Sequence, residues 1–303
     1  AFIPKKKIKN LDELEELCDL SVRGLDALID FQGYPVKAAE VGTKNRRSLG
    51  VGYIGLAHYL AKHKVGYDDA EAHQMVHDLT EAFQYYLLKS SNQLAIEYGP
   101  CGYFDRTKYS TGILPIDTYK KDVDELIKHQ ERADWKTLRA DLKEHGIRNS
   151  TLMALMPAET SAQISNSTNG IEPPRSYVSI KQSKHGVLKQ VVPGYPYYKN
   201  KYDLLWDQKS PQGYLKIMAV LQKYIDQGIS VNTSYNPEHY EDEKVPMSVL
   251  IQDILMFYKY GGKQLYYNNT YDGQGEIDIH KEDVQGDLAI TEIDDEDCES
   301  CKI

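Results

Sequence analysis

Residues 148–174 read Arg-Asn-Ser-Thr-Leu-Met-Ala-Leu-Met-Pro-Ala-Glu-Thr-Ser-Ala-Gln-Ile-Ser-Asn-Ser-Thr-Asn-Gly-Ile-Glu-Pro-Pro. The apolar run Thr151–Met156 is typical of a short strand buried on both faces, and Pro157 ends it because proline has no N–H for a sheet ladder. We expect Thr160 or Ser161 to cap a short helix directly afterwards. Strand, turn and helix in this order indicate an α/β fold.

The start of that helix is a candidate anion site. The first turn of a helix leaves backbone N–H groups unpaired, and phosphate is their natural ligand. Glu159 fits such a site only if its backbone N–H faces the ligand while its carboxylate points elsewhere. Asn169-Gly170 then favours a left-handed turn. An ordinary buried strand followed by a capped helix, without any ligand, remains the alternative.

Two segments of this stretch, Pro157–Ser161 and Ser165–Pro174, resemble the diphosphate-binding loop of the large subunit of class I ribonucleotide reductases. That family has a hydroxyl residue where Ala158 stands. Residues 265–273 and 298–303 carry the resemblance further, and it extends over the whole chain. The resemblance implies a diphosphate-binding site formed by Pro157, Ala158, Glu159, Thr160 and Ser161.

The resemblance also implies a fold and a division of the chain. Residues 1–270 are expected to form the C-terminal part of the family's ten-stranded α/β barrel with its surrounding helices. Residues 271–303 are expected to form a disordered acidic tail, since hydrophobicity drops there and no periodicity persists. Residue patterns predict the individual elements, namely helices over 11–29, 68–98, 119–130, 134–145, 212–228 and 246–260, and strands over 177–180, 187–192 and 263–268.

Composition excludes some classes of partner. The formal net charge of the 303 residues is −9, and the segment from Asp272 onward holds 12 acidic residues against two lysines. Nucleic-acid binding needs clustered Lys and Arg, so we expect no nucleic-acid partner. No apolar run approaches the roughly 20 residues of a membrane span. We therefore expect a cytoplasmic protein that does not contact membranes.

Cys298 and Cys301 form a Cys-x-x-Cys pair near the end of the sequence. Two thiols at this spacing can form and reopen a disulfide by exchange, and a lone pair makes a poor zinc site. About 31 residues separate the pair from Tyr267, so a flexible segment would span roughly 30 Å. The resemblance implies that the pair reduces an active-site disulfide and is itself reduced by thioredoxin or glutaredoxin. Incidental cysteines in an acidic tail are the alternative.

Tyr266 and Tyr267 are adjacent in the predicted strand 263–268. Neighbouring strand residues point to opposite faces, and simple β-propensity explains a tyrosine pair in a chain with 24 tyrosines. The resemblance implies instead a relay of an oxidising equivalent, with Tyr267 toward the small subunit and Tyr266 toward an active-site cysteine. The two rings would then have to stack, which demands a local departure from strand geometry.

The amphipathic helix predicted over 246–260 presents an apolar stripe that includes Ile254 and Leu255. By default such a stripe belongs to the core. In the family a helix at this place helps to form the groove for the C-terminal tail of the small subunit. Part of the stripe is therefore a candidate partner surface.

The radical-bearing cysteine of the family, in an Asn-x-Cys-x-Glu loop, has no counterpart in this sequence. We therefore expect the chain to be the C-terminal portion of a large subunit, from a split gene, an intein-interrupted protein or a partial sequence. It would reduce ribonucleoside diphosphates only with an N-terminal part and a small subunit. No cofactor or metal is expected in this chain. A di-iron tyrosyl radical is expected in the small subunit, and ATP and deoxynucleotide effectors in the N-terminal part.

Two other motifs give weaker hypotheses. Gly50-Val-Gly-Tyr-Ile-Gly55 matches a dinucleotide-binding fingerprint, which would indicate a nicotinamide oxidoreductase. No buried strand precedes the motif, as such a site requires. The better interpretation is that the glycines allow close packing of helices. His73 and His77 share a helix face, and a solvated or half-buried pair is favoured over a metal site. A redox-regulated binding module that docks partners through the Cys-x-x-Cys tail remains the main functional alternative.

Overall fold

A computed structural model describes residues 11–156, 158–183 and 186–273. Pro157, Cys298, Cys301 and the predicted tail beyond 273 lie outside the described residues. The helices are α1 (Leu11–Phe31), α2 (Lys37–Arg46), α3 (Leu56–His63), α4 (Ala70–Tyr98), α5 (Trp135–His145), α6 (Glu159–Ile164), α7 (Tyr195–Tyr198), α8 (Gln212–Gln222) and α9 (Met247–Lys259). The strands are β1 (Val178–Ser183), β2 (Gly186–Val191), β3 (Thr233–Tyr235) and β4 (Asn268–Thr270), and short 3₁₀ turns connect several of these elements.

The segment predicted as a buried strand runs parallel to an earlier segment of the chain. Val51 and Met153 form a parallel bridge. The backbone N–H of Val51 donates to the Leu152 carbonyl at 2.7 Å, and that of Ala154 donates to the Val51 carbonyl at 3.1 Å. Leu152 and Met153 are fully buried. The prediction of a buried strand over 151–156 is therefore confirmed in part: residues 151–154 pair with residues 49–51 through an isolated bridge, and Met156 is 44% exposed.

The pairing of residues 49–51 with the 151–156 segment changes the interpretation of the glycine-rich motif Gly50–Gly55. Residues 49–51 pair with residues 151–154, residues 52–54 are not helical, and helix α3 begins only at Leu56. A Cβ atom on Gly52 would collide with the backbone carbonyl oxygen of Ala154. The expectation of close helix packing was wrong, since the glycine is needed where two extended backbones approach each other.

A second parallel pair is formed by β3 and β4, in which Thr233 lies opposite Asn268. Hydrogen bonds continue the pairing upstream, from the N–H of Tyr266 to the Val231 carbonyl (2.7 Å) and from the N–H of Thr233 to the Tyr267 carbonyl (2.8 Å). Strands β1 and β2 form a separate antiparallel hairpin. Parallel pairs that helices accompany confirm the predicted α/β class.

Helix α4 is the central helix, and both α1 and α8 pack against it. His73 and His77 on α4 are buried, not solvated as the sequence pattern suggested. His73 Nε2 lies 3.0 Å from the Tyr67 carbonyl oxygen, and His77 Nε2 lies 2.7 Å from the Tyr224 hydroxyl. Within the described ranges, no group of three potential ligands is placed to hold a metal ion. Both histidines are thus satisfied core residues.

The predicted helix over 119–130 is replaced by a 3₁₀ turn at Lys121–Leu126. Besides its local bonds, this segment is bonded to side chains of residues 74 and 223, in and next to neighbouring helices. Lys223 Nζ lies 2.8 Å from Asp124 Oδ1, and the N–H of Lys128 donates to Gln74 Oε1 at 2.7 Å. Of the helices in the described ranges, none is both long and apolar enough to cross a membrane.

Candidate functional site

Helix α6 begins one residue earlier than its predicted cap. Ala158 occupies the N-cap position with φ of −131° and ψ of 39°, so Thr160 and Ser161 lie inside the first turn and do not cap it. The N–H of Ala158 donates to Asn169 Oδ1 at 3.1 Å, which ties the start of α6 to the loop that follows it. The first turn after Ala158 has no intrahelical acceptors for its N–H groups. Both hydroxyl side chains are exposed.

The loop after α6 lies against the start of α3. The N–H of Gly55 donates to the Thr168 carbonyl at 3.1 Å, and that of Leu56 donates to the Gly170 carbonyl at 3.2 Å. Gly170 adopts the predicted left-handed conformation, with φ of +51°. Both chain segments leave the parallel pair at its carboxyl end, which is where α/β folds place ligands. The α6 turn is thus positioned at the functional end of the strands.

Tyr266 and Tyr267 are in ring contact. Their ring centroids are 4.1 Å apart with an interplanar angle of 52°, and the residues are 56% and 55% exposed. The predicted strand over 263–268 overlaps the regular strand only at Asn268, although parallel hydrogen bonds continue upstream through Tyr266 and Tyr267. Outside the regular strand the two side chains need not point to opposite faces. The rings are in contact but tilted, so they do not adopt the stacked arrangement that the resemblance implied.

Asn232 connects the α6 loop region to the tyrosine pair. Its Nδ2 donates to Glu172 Oε1 at 2.6 Å, and its Oδ1 accepts the backbone N–H of Tyr267 at 3.0 Å. An amide side chain can donate and accept at once, which a carboxylate cannot do. Sequence reasoning missed this residue, since a lone Asn before a short strand carries no motif. The structure thus joins two of the predicted site segments through one side chain.

Helix α9 is fixed by a buried carboxylate. Asp253 Oδ1 accepts Gln212 Nε2 at 2.7 Å, and Oδ2 accepts the hydroxyl of Tyr235 at 3.0 Å. Burial raises the pKa of this Asp253 carboxyl above its usual value. The bonds hold α9 against α8 and β3, so the opposite face of the helix is turned outward.

Helix α9 exposes several large apolar side chains. These are Met247, Ile251, Ile254, Leu255 and Tyr258, beside the exposed polar residues Ser248, Gln252 and Lys259. The default assignment of the predicted stripe to the core was wrong for Ile254 and Leu255, which are 46% and 59% exposed. Large apolar side chains that share one helix face and meet solvent mark an interaction surface.

The two thiols among the described residues are unsuited to redox chemistry. Cys18 and Cys101 are both buried, with 1% and 3% of their surface exposed. Burial raises the pKa of Cys18 to about 12 and also raises the pKa of Cys101. Since the thiolate is the reactive form, both are structural residues.

Comparison with known proteins identifies the class to which this architecture belongs. Residues 1–196 and 193–268 match the family described as "Ribonucleotide reductase, barrel domain", so the chain belongs to this family. The described parallel pairs and helices are accordingly part of an α/β barrel.

Individual relatives are similar over nearly all of this chain. It is 57% identical over 282 residues to the ribonucleoside-diphosphate reductase subunit alpha of Haemophilus influenzae, covering 93% of this chain and 36% of that protein. It is 55% identical over 277 residues to ribonucleoside-diphosphate reductase 1 subunit alpha of Escherichia coli strain K12, covering 91% of this chain and 35% of that protein. It is 45% identical over 294 residues to the ribonucleoside-diphosphate reductase subunit alpha of Enterobacteria phage T4, covering 96% of this chain and 37% of that protein. The chain thus spans a little over a third of the length of these relatives.

Proposed function

We propose that this chain supplies the C-terminal part of a ribonucleoside-diphosphate reductase large subunit. The reaction replaces the 2′-hydroxyl of a ribonucleoside diphosphate by hydrogen, with release of water and oxidation of a dithiol to a disulfide. The observation that carries the proposal is the side chain of Asn232, which bonds both to Glu172 of the α6 loop region and to the backbone of Tyr267. One side chain thereby links the proposed substrate-binding and electron-relay segments, which supports the proposal.

The α6 turn is proposed to bind the diphosphate. Residues Pro157, Ala158, Glu159, Thr160 and Ser161 match the family's loop, and their helix start favours an anion. Because Ala158 has no hydroxyl, binding would depend on backbone N–H groups more than on side chains. The site lies at the carboxyl end of the parallel segments, which supports the assignment.

Replacing one backbone N–H tests this site. Proline is tolerated in the first turn of a helix, so Thr160→Pro removes an N–H without breaking α6. We expect about tenfold weaker diphosphate binding, equivalent to the loss of about 1.4 kcal/mol. Thr160→Ala is the matched control, since it removes the hydroxyl and keeps the N–H. Unchanged affinity in Thr160→Pro would exclude the α6 turn as the diphosphate site.

Tyr266 and Tyr267 are proposed to relay the oxidising equivalent. A phenol can lose an electron and a proton together, and the contact of the two rings allows transfer between them. The di-iron tyrosyl radical of a small subunit would supply the equivalent when that subunit is bound. Tyr266→Phe keeps the ring but removes the transferable proton, so turnover should vanish while folding is retained.

Cys298 and Cys301 are proposed to return the enzyme to its reduced state. Their dithiol would reduce the disulfide formed in each turnover by exchange, and thioredoxin or glutaredoxin would then reduce the new disulfide. With both residues changed to Ser, we expect a single turnover to persist and thioredoxin-dependent cycling to stop. A cytoplasmic setting suits this chemistry, because dithiols stay reduced there.

The remaining partners follow from the limited span of the chain. An N-terminal part is proposed to supply the radical-bearing cysteine and the ATP and deoxynucleotide effector sites. The small subunit is proposed to dock on the outward face of α9. The deciding measurement is deoxyribonucleotide formation from a labelled ribonucleoside diphosphate, with small subunit and thioredoxin, with and without an N-terminal fragment. We expect activity only with the fragment.

A redox-regulated binding module is the competing proposal, and the exposed apolar face of α9 favours a docking role of some kind. In such a module Tyr266→Phe should have no functional effect. Absence of activity in the complete mixture, with the N-terminal fragment shown to bind, would support the module and refute the reductase.

A further inference from the structure

A cavity of about 580 Å³ lies at the end of the fold opposite to α6. Ser48, Ser150 and Thr151 line it, and these residues precede or begin the parallel segments 49–54 and 151–156. A six-residue extended segment spans about 20 Å, so this cavity is about that distance from the α6 turn. It is therefore a separate site from the proposed diphosphate loop.

Positive charge is concentrated around the mouth of this cavity. Four of the cations that line it form no salt bridge among the described residues, namely Arg46, Arg106, Lys108 and Lys120, and Lys263 lines it close to the Asp226 carboxylate. This arrangement stands out in a chain whose formal net charge is −9. A cleft lined by one sign of charge focuses the field and attracts counter-ions.

Two of these cations converge on one aromatic ring. The guanidinium groups of Arg106 and Arg46 lie 4.2 and 5.6 Å from the centroid of the Tyr103 ring. The two positive charges beside this ring add to the field that attracts an anion. Burial lowers the pKa of Lys263, the neighbouring Asp226 carboxylate raises it, and the charge of Lys108 lowers it. A bound anion would interact favourably with the two arginines and with Lys108.

The inner wall of the cavity adds an unpaired acceptor. Asp226 Oδ1 is buried without a hydrogen-bond partner, while Oδ2 accepts the hydroxyl of Tyr109 at 3.3 Å. Lys263 Nζ donates to the backbone carbonyls of Ile225 and Asp226, at 3.0 Å each, and so does not satisfy Oδ1. Because buried polar atoms are normally hydrogen-bonded, this carboxylate oxygen is a suitable acceptor for an N–H or O–H group of a ligand. Tyr119 and Tyr260 supply aromatic surface beside it.

We propose that this cation-lined cavity binds a polyphosphorylated ligand of nucleotide size, with its phosphates at the mouth and an N–H donor at Asp226. The volume is within the roughly 300–1,000 Å³ of small-molecule sites. A single phosphate would neutralise too few of the cations and reach neither the tyrosine rings nor Asp226.

Calorimetric titration of the 303-residue chain with inorganic tripolyphosphate and with ATP tests the proposal. We expect Arg106→Ala/Lys108→Ala to weaken tripolyphosphate binding by about tenfold or more. Lys136→Ala/Lys209→Ala is the matched control, because it also removes two exposed positive charges but lies outside the cavity. Equal weakening in the two double variants, or no tripolyphosphate binding by the parent chain, would overturn the proposal. Unchanged circular dichroism and Tm establish that each variant is folded.

Two further variants separate the parts of the proposal. Asp226→Ala should reduce the preference for ATP over tripolyphosphate, since only ATP carries an N–H donor, and the part of the preference that comes from the tyrosine rings should remain; an unchanged preference would refute the contact at Asp226. Tripolyphosphate can also occupy the α6 turn, so we expect Thr160→Pro to weaken one binding event and to spare the event that Arg106→Ala/Lys108→Ala weakens. If Thr160→Pro removes that second event as well, the anion sits on the α6 turn and the cavity is not the site.

Discussion

Replacing Asn232 by Ala removes both hydrogen bonds that join the α6 loop region to the tyrosine pair. The bond to Glu172, at 2.6 Å, has a carboxylate acceptor, and hydrogen bonds to charged groups contribute about 1.5–3 kcal/mol. The bond from the Tyr267 N–H, at 3.0 Å, is of the neutral kind, which contributes about 1 kcal/mol. We expect the free energy of unfolding to fall by about 2–4 kcal/mol.

Turnover should fall more steeply than stability. A displacement of about 1 Å between reacting groups can lower a rate about 100-fold, and Asn232 sets the position of Tyr267 relative to the proposed substrate loop. The assays are urea denaturation of the chain and deoxyribonucleotide formation in the complete mixture with the N-terminal fragment. Asn269→Ala is the matched control, since its side chain makes only a long 3.5 Å contact with Ser234.

Asn232→Asp distinguishes the two bonds. The new carboxylate still accepts the N–H of Tyr267 but meets Glu172 as a like charge, which is unfavourable at this distance. A double-mutant cycle of Asn232→Ala with Glu172→Gln should show a coupling of about 1 kcal/mol or more. Additive effects in the cycle, or turnover of Asn232→Ala within about twofold of the parent protein, a difference of about 0.4 kcal/mol, would refute the argument that this residue positions the relay.

The remaining predictions concern packing, pH and docking. Gly52→Ala should lower the free energy of unfolding by about 2 kcal/mol or more, because its Cβ would collide with the Ala154 carbonyl, whereas Gly24→Ala, which meets no atom within 4 Å, should be neutral or stabilising in chemical denaturation. Burial raises the pKa of Asp226 to about 6, so its protonated form stabilises the protein fully below about pH 4 and that stability is lost as the pH rises through about 6. Asp226→Asn should therefore flatten stability between pH 4 and 6 and raise it at pH 7 by up to about 3 kcal/mol in urea titrations; an unchanged pH profile would contradict the assignment. Leu255→Glu should weaken small-subunit binding at least about tenfold, a loss of about 1.4 kcal/mol, without lowering Tm, and equal binding would remove α9 from the docking surface.

Local patterns in the sequence predicted much of the secondary structure. Helices α1, α4, α5 and α9 and the β1–β2 hairpin were anticipated within a few residues, since helix periodicity, strand alternation and turn residues act over short distances. Family membership was likewise visible in the α6 loop and the tyrosine pair. The element that failed most clearly, the helix predicted over 119–130, is held by bonds to α4 and α8, which local propensity does not include.

The tertiary structure decided which distant residues meet. Gly52 is needed because residues 151–156 lie beside it, about a hundred positions later in the chain. Asn232 bonds to Glu172 across 60 positions and to Tyr267 across 35. The cavity cations come from segments that no motif connects. By itself, therefore, the sequence determined the local elements and the family motifs, because these depend on neighbouring residues. The site connections and the charged cavity depend on chain segments that only folding brings together.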